Sequence, residues 1–452
     1  MGTVDRGAAG QRTKTRIGVL AVGGPTSGGV HQYELSVLDA LSTNAADFAG
    51  RFSFALFYSV GAHLPVARLS SCGWSTHRLP SDGLLSPMNG MLDPVRRVVG
   101  TGALYRQYHR LKQRRDAGAP PAAPDEIRTN ARLAEFFRRH EIDLMLYPTP
   151  TSTSFEAGVP FVMAIHDLQH RLQPEFPEVS ADGEWDKREY LFANGARRAT
   201  LLVADSEVGK EDILNCYGHD GVSAAKVAVL PFVPPPYFED VSMGDAERVR
   251  SRSGLPERFF FYPAQFWPHK NHVRIVDAVG RLKNEHALEV HVAFTGTAGP
   301  GLTGQTASQI AEMARHHQCS HLVHSLKYLS PREMSALYKT ALGLVMPTFF
   351  GPTNIPVLEA WQLGCPVLTS DIRGVREQVG DAGVLVDPSD VDAIAEGMRR
   401  LATDDALRAD LERRGLARVM CYTPDDFADR LGQILETASE IVLSSNGRAS
   451  AY

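Results

Sequence analysis

Short apolar runs alternate with helix-patterned stretches along most of the chain, and no other feature restricts the fold so strongly. In the first half the runs read as strands at Ile17–Val22, Phe52–Tyr58, Leu144–Tyr147, Val159–Ile165, Leu201–Ala204 and Val227–Leu230. In the second half they fall at Phe259–Pro263, Val290–Thr295, Leu322–Tyr328, Gly343–Pro347, Pro366–Ser370 and Val384–Asp387. Helices lie between them; Val30, Tyr33, Val37, Leu38 and Leu41 trace one face of the first. Strand–helix alternation implies parallel sheets covered on both sides, an α/β fold. The Pro-rich "LPFVPPPYFED" at 230–240 separates the two sets. The expected organisation is therefore two Rossmann-like domains, residues 1–236 and 237–423, joined by a hinge. Their cleft, at the carboxyl ends of the strands, is the natural ligand site. Asp425–Leu443, amphipathic after "TPDD", is expected to cross back onto the first domain, making 424–452 a C-terminal helix and tail.

A chain of 452 residues suits two cores better than one. The formal net charge of −5 argues against nucleic acid as a partner. Five scattered cysteines without a Cys-x-x-Cys fit a reducing cytoplasm rather than a disulfide scaffold. The apolar run Ile17–Val22 is too short for a signal peptide or a span. Met1-Gly2 lacks the Ser or Thr at position 6 that myristoylation wants, Arg6 standing there.

Several stretches place reactive side chains at the expected cleft, each with a plain structural alternative. In "GVLAVGGPTSGGVHQY" the pairs Gly23-Gly24 and Gly28-Gly29 allow close backbone approach to a phosphate or sugar, or make a tight turn only. In "FYPAQFWPHKNH", Lys270 follows a strand and precedes a helix, suited to a diphosphate or to solvent. In "FVMAIHDLQH", His166 and Asp167 end a strand, as cleft groups or as a core His beside a capping Asp. In "TFFGPTNIPVLEAWQLGCPVLTSD", Pro356 fits a first helical position and Thr353 or Asn354 can cap the amides ahead of it. Such an N-terminus attracts anions, and Glu359 one turn in is either functional or a complement to the helix dipole. His316, His317, Cys319, His321 and His324 match no standard zinc spacing. Asp390-Val-Asp392 reads as a helix opening rather than a metal site. Residues 94–128 read as a basic helix and a Pro/Ala linker, either solvated or laid against an anionic membrane.

Taken in order, "GGPTSGGVHQY", "IHDLQHRLQPEFPE", "LLVADSEVGKEDIL", "KVAVLPF", "FYPAQFWPHKNH", "YLSPREMSALYKTA", "GPTNIPVLEAWQLGCPVLTSD" and "GVREQVGDAGVLVDP" resemble the family 4 retaining glycosyltransferases of the GT-B fold, over nearly the whole chain. The resemblance implies transfer of a sugar from a nucleotide donor to an acceptor hydroxyl with retained configuration, without a metal or other cofactor. With the scattered cysteines and the basic segment 94–128, the expected setting is cytoplasmic, with peripheral membrane contact the alternative, and the expected acceptor is a sugar, a lipid-linked molecule or a small molecule. Carried over by position, Glu359 would read the ribose, Lys270 would hold the diphosphate and His166 would contact the donor sugar. Thr353, Asn354 and Ile355 would offer backbone amides, and Gly28 and Gly29 would close over the diphosphate. The base would lie near Leu326, Lys327 and Tyr328. Gly351 stands where the family usually carries Glu, and Gln265, expected in the donor contact, stands where it usually carries Arg. Those two departures leave room for a non-catalytic sugar-nucleotide-binding protein; an epimerase shares the architecture.

Overall fold

The structure is a computed structural model that describes residues 14–24, 28–59, 64–79, 127–236, 238–296, 298–299 and 301–449. The basic segment 94–128, with its membrane alternative, lies outside the described residues except at its last two positions.

Among the described residues thirteen strands form two wholly parallel sheets. The first sheet contains β1 (Thr15–Ala21), β2 (Phe52–Tyr58), β3 (Ser75–Arg78), β4 (Leu144–Tyr147), β5 (Phe161–Ala164), β6 (Leu201–Ala204) and β7 (Val227–Val229). Its order is β3-β2-β1-β4-β5-β6-β7. The second contains β8 (Phe259–Pro263), β9 (His291–Thr295), β10 (Val323–Leu326), β11 (Gly343–Met346), β12 (Val367–Ser370) and β13 (Val384–Val386), in the order β10-β9-β8-β11-β12-β13. The strand order reverses between β1 and β4 and between β8 and β11, opening a crevice at the carboxyl ends of both sheets.

The most central strands, such as β4, β5, β8 and β11, are apolar at nearly every position because helices cover both faces. Phe259, Phe260, Phe261 and Tyr262 have no exposed surface. Burying side chains of this size is worth roughly 1.5–3 kcal/mol each. The strand β3 was missed by sequence reasoning: "STHR" lies at the sheet edge, half-covered, and carries no apolar run to mark it.

The final helix, Pro424–Ala449, packs its apolar stripe into the first domain. Phe427, Leu431, Leu435 and Ala438 join Val19, Tyr33 and Leu41 in one buried cluster. Residues 424 onward thus follow the second domain in sequence and belong to the first in packing.

Candidate functional site

The two domains enclose a cleft of about 770 Å³. Among the expected residues, Gly28, Gly29, His166, Gln265, Lys270, Tyr328, Thr353, Asn354, Ile355 and Glu359 line it. Gly351 lines it too. Leu326 does not: it ends β10 and packs against the core of the second domain, as an apolar side chain at a strand end does. Lys327 is not among the lining residues either, and its carbonyl accepts from Thr295 Oγ1 at 3.2 Å. Of that trio only Tyr328 reaches the cleft, with 70% of its surface exposed.

The wall from the second domain begins with Lys270, on a short 3-10 turn after β8. Burial pushes its pKa down to about 8, against the opposing pull of Asp167 and Glu178. Among the described residues its ammonium has neither a hydrogen bond nor an ion pair. Glu359 sits in the helix Ile355–Gln362, only 1% exposed, and accepts a 2.7 Å bond from Tyr338 Oη. Tyr338, in the helix Pro331–Thr340, is a site residue that sequence reasoning missed; as an aromatic on a helix face it reads as core.

The loop that opens the Glu359 helix corrects two expectations. Neither Thr353 nor Asn354 caps the helix. Asn354 holds the cap position, but its Nδ2 turns to the Phe350 carbonyl at 3.4 Å. Its backbone N–H donates to Gln378 Oε1 and its carbonyl accepts from Gln378 Nε2, both at 2.9 Å. One of the three amides expected to meet the donor is thus already bonded within the domain. Gln378 satisfies both backbone groups of Asn354 together, while the Asn354 side chain is taken by the Phe350 carbonyl rather than by the helix amides. The Thr353 hydroxyl reaches across the cleft to Asp205 Oδ2. Pro356 is the second helical residue, still where a missing N–H costs nothing.

Position 351, where the family usually carries Glu, lies close against the second domain. A Cβ on Gly351 would stand 3.2 Å from the Arg373 carbonyl oxygen and 3.7 Å from Ile372 and Val375 side-chain atoms. A side chain there starts towards the body of the second domain.

The wall from the first domain is held by long-range bonds. Gly28, with φ of 61°, adopts a backbone that a side chain would strain, and the helix Gly29–Thr43 follows it. Glu34, fully buried on that helix, accepts from the Val22 and Gly23 amides at 3.2 and 2.9 Å and from Thr149 Oγ1 at 2.5 Å. That carboxylate pins the glycine-rich turn. His166 follows β5, with Nε2 2.9 Å from the Pro148 carbonyl and its ring edge-on to Tyr33. A carbonyl only accepts, so Nε2 carries the proton in the neutral ring and Nδ1 is the acceptor. Burial lowers the His166 pKa despite Pro148 and the neighbouring carboxylates, which favours that neutral form. Asp167 pairs with Arg188 at 2.5 Å. Burial alone would raise its pKa, yet Arg188 and the Gln169 amide hold it below the usual carboxylate value.

Asp205, after β6, is the second site residue missed. It is 4% exposed, lines the cleft, and burial pushes its pKa up to about 7 against the hydroxyls of Thr353 and Ser206. In sequence it precedes the helix cap Ser206 and reads as part of that cap.

The remaining polar motifs stay outside the cleft. Asp390 accepts from the Asp392 and Ala393 amides, capping the helix Val391–Thr403, and Asp392 pairs with Arg281. His324 pairs with His291 at 2.9 Å and His317 with Asp277 at 3.0 Å. Among the described residues no group of three or more His, Cys, Asp or Glu is placed to hold a metal ion.

Residues 245–418 match the family described as glycosyl transferases group 1. The chain is 38% identical over 101 residues to the O-antigen chain mannosyltransferase B of Escherichia coli, covering 22% of this chain and 26% of that protein. It is 28% identical over 286 residues to a D-inositol 3-phosphate glycosyltransferase of Salinispora arenicola, covering 58% of this chain and 60% of that one. The chain thus spans between about a quarter and three fifths of these curated relatives. In fold it is similar to Anabaena HepE crystallised with UDP and glucose, at a TM-score of 0.65 and 18% identity, over 94% of this chain and 100% of that one. The facing Rossmann-like domains are the GT-B architecture, and the match to the group 1 glycosyl transferases lies within the second of them, over residues 245–418.

Proposed function

We propose that this protein moves a sugar from a nucleoside-diphosphate donor to an acceptor hydroxyl, as a family 4 type enzyme, with retained configuration and without a metal. The observation that carries this is Lys270. A cation held without a partner in a half-buried cleft is costly unless an anion arrives, and the uncapped start of the Glu359 helix faces the same space. Glu359, fixed by Tyr338, is a buried acceptor suited to the ribose hydroxyls, and His166 Nδ1 suits a sugar hydroxyl. The functions of the two relatives, a mannosyltransferase and an inositol phosphate glycosyltransferase, agree with this reading, as does the UDP and glucose bound by HepE.

In the proposed step the bond between the anomeric carbon and the diphosphate oxygen breaks and the acceptor oxygen bonds to that carbon on the same face. The acceptor proton passes to the departing phosphate. Lys270 and the helix N-terminus stabilise the charge that develops there. Asp167 is engaged by Arg188 and Asp205 by Thr353, so neither is offered as a nucleophile. Five free thiols support a reducing, cytoplasmic setting. No described helix is long and apolar enough to cross a membrane.

A thermal-shift screen of UDP-, GDP- and dTDP-sugars, followed by product analysis with and without EDTA, tests the reading. Transfer with retained configuration, unchanged by EDTA, is expected. Inverted product, or activity lost to EDTA and restored by manganese, overturns it. Gln265 and Gly351 favour a second reading, a non-catalytic donor-binding protein, which predicts binding with neither transfer nor slow donor hydrolysis. Conversion of donor with no acceptor would identify an epimerase.

A further inference from the structure

The loop that opens the Glu359 helix is gripped by the first domain at three successive residues. Gln169 Nε2 donates to the Gly351 carbonyl at 3.2 Å. Pro352 packs over Gly209, where an added Cβ would stand 3.4 Å from Pro352 Cγ and 2.9 Å from Asp205 Oδ1. Thr353 donates its hydroxyl to Asp205. Glycine at 209 is thus what lets the Asp205 carboxylate and Pro352 share one small space. On the far side of the loop, Arg373 pairs with Asp212 and, at 2.5 Å, with Glu211 of the same first-domain helix, Glu207–Tyr217. To its own domain the loop is attached by the Asn354–Gln378 pair described above and by Pro352 packed against Gly374.

We propose that residues 351–353 act as a strap between the domains, with Asp205 as its positioning residue, so that the anion-binding end of the Glu359 helix takes its working place only when the first domain holds it. The kinetic part of this rests on the functional reading above; the strap itself does not. A carboxylate is the fitting partner because, once ionised above its pKa of about 7, its bond to a hydroxyl is charge-assisted, about twice as strong as a neutral one, so the exchange is read at pH 8 or above. Gln169 contributes a neutral bond to the same loop. Asp205 and Thr353 form one unit, so removing either should release the loop and removing both should release it no further.

Amide hydrogen exchange over residues 350–356 of the ligand-free full chain tests the strap directly. Asp205→Ala and Thr353→Val should each speed exchange there by about tenfold or more, the scale set by one bond to a charged group. The double variant should exchange no faster than either single one, and Thr353→Ser should restore the slow rate. With the best donor from the screen, both single variants should lose about tenfold or more in kcat while the donor KM stays within about threefold. Unchanged exchange in both single variants, or additive effects in the double, overturns the strap. Failure of the wild-type protein to bind any donor overturns the functional reading, while the exchange result still decides the strap.

Discussion

The two walls of the cleft are built by different rules. On the second-domain wall, the bond that holds Glu359 comes from Tyr338, 21 residues away. Gln378 likewise holds Asn354 from 24 residues away, both partners lying inside the stretch that matches the group 1 family. On the first-domain wall, Glu34 reaches Thr149 across 115 residues, and Asp205 reaches into the other domain across 148. The settings of Glu359 and Asn354 are fixed within the second domain, whereas Thr353 and His269 on the same wall are held by Asp205 and Glu178 of the first, and the Glu34 turn depends on distant strands. On the proposed function, that difference puts most of the leaving-group chemistry in the second domain. It leaves the first domain to decide when the site is complete and what it accepts.

The comparison breaks most easily at Lys270. Lys270→Ala should cost roughly a hundred- to a thousandfold in kcat with a smaller change in donor affinity, since the leaving-group charge grows in the transition state. Steady-state kinetics beside calorimetry separate the two; an equal loss in both would show that Lys270 serves ground-state binding. Next in size, Glu359→Gln should weaken donor binding about ten- to a hundredfold while the fold stays intact. Tyr338→Phe should cost about fivefold by leaving that carboxylate less well held. Unchanged affinity in calorimetry would remove Glu359 from the donor site.

A pH titration sharpens the same wall. With a pKa lowered to about 8, Lys270 is charged below that value and loses its charge as pH rises through it. Donor affinity should therefore fall on the alkaline side, by up to about tenfold per unit beyond the pKa that applies in the free protein. Lys270→Arg should flatten that limb, because a guanidinium stays charged throughout. A wild-type affinity independent of pH between 7 and about 9.5 would contradict the environment assigned to Lys270.

The smallest effect is expected at position 351. Gly351→Glu should not improve activity on the natural donor and should destabilise the protein by roughly 1–2 kcal/mol, a shift of a few degrees in Tm. The cause is the close approach of a Cβ to the Arg373 carbonyl, rather than crowding of a sugar. Equal or higher catalytic efficiency, with an unchanged Tm, would show that the position has merely lost its usual Glu.

The sequence by itself determined the two parallel sheets, because strands covered on both faces must be apolar at nearly every position, as in "FFFYP" and "GLVM". It also determined that Lys270, His166 and Glu359 meet in one cleft, since each follows a strand or opens a helix at the carboxyl edge of its sheet. Only the tertiary structure decided what those residues bond to. Asn354 stands where a cap is expected, but its side chain turns to the Phe350 carbonyl and its backbone to Gln378, and Thr353 is taken by Asp205. Tyr338 and Asp205 look like core and cap until the fold brings them to Glu359 and Thr353. Local periodicity and capping rules report the interactions of neighbours along the chain. A hydrogen bond between two domains carries no such period, and its partners are known only when both domains are in place.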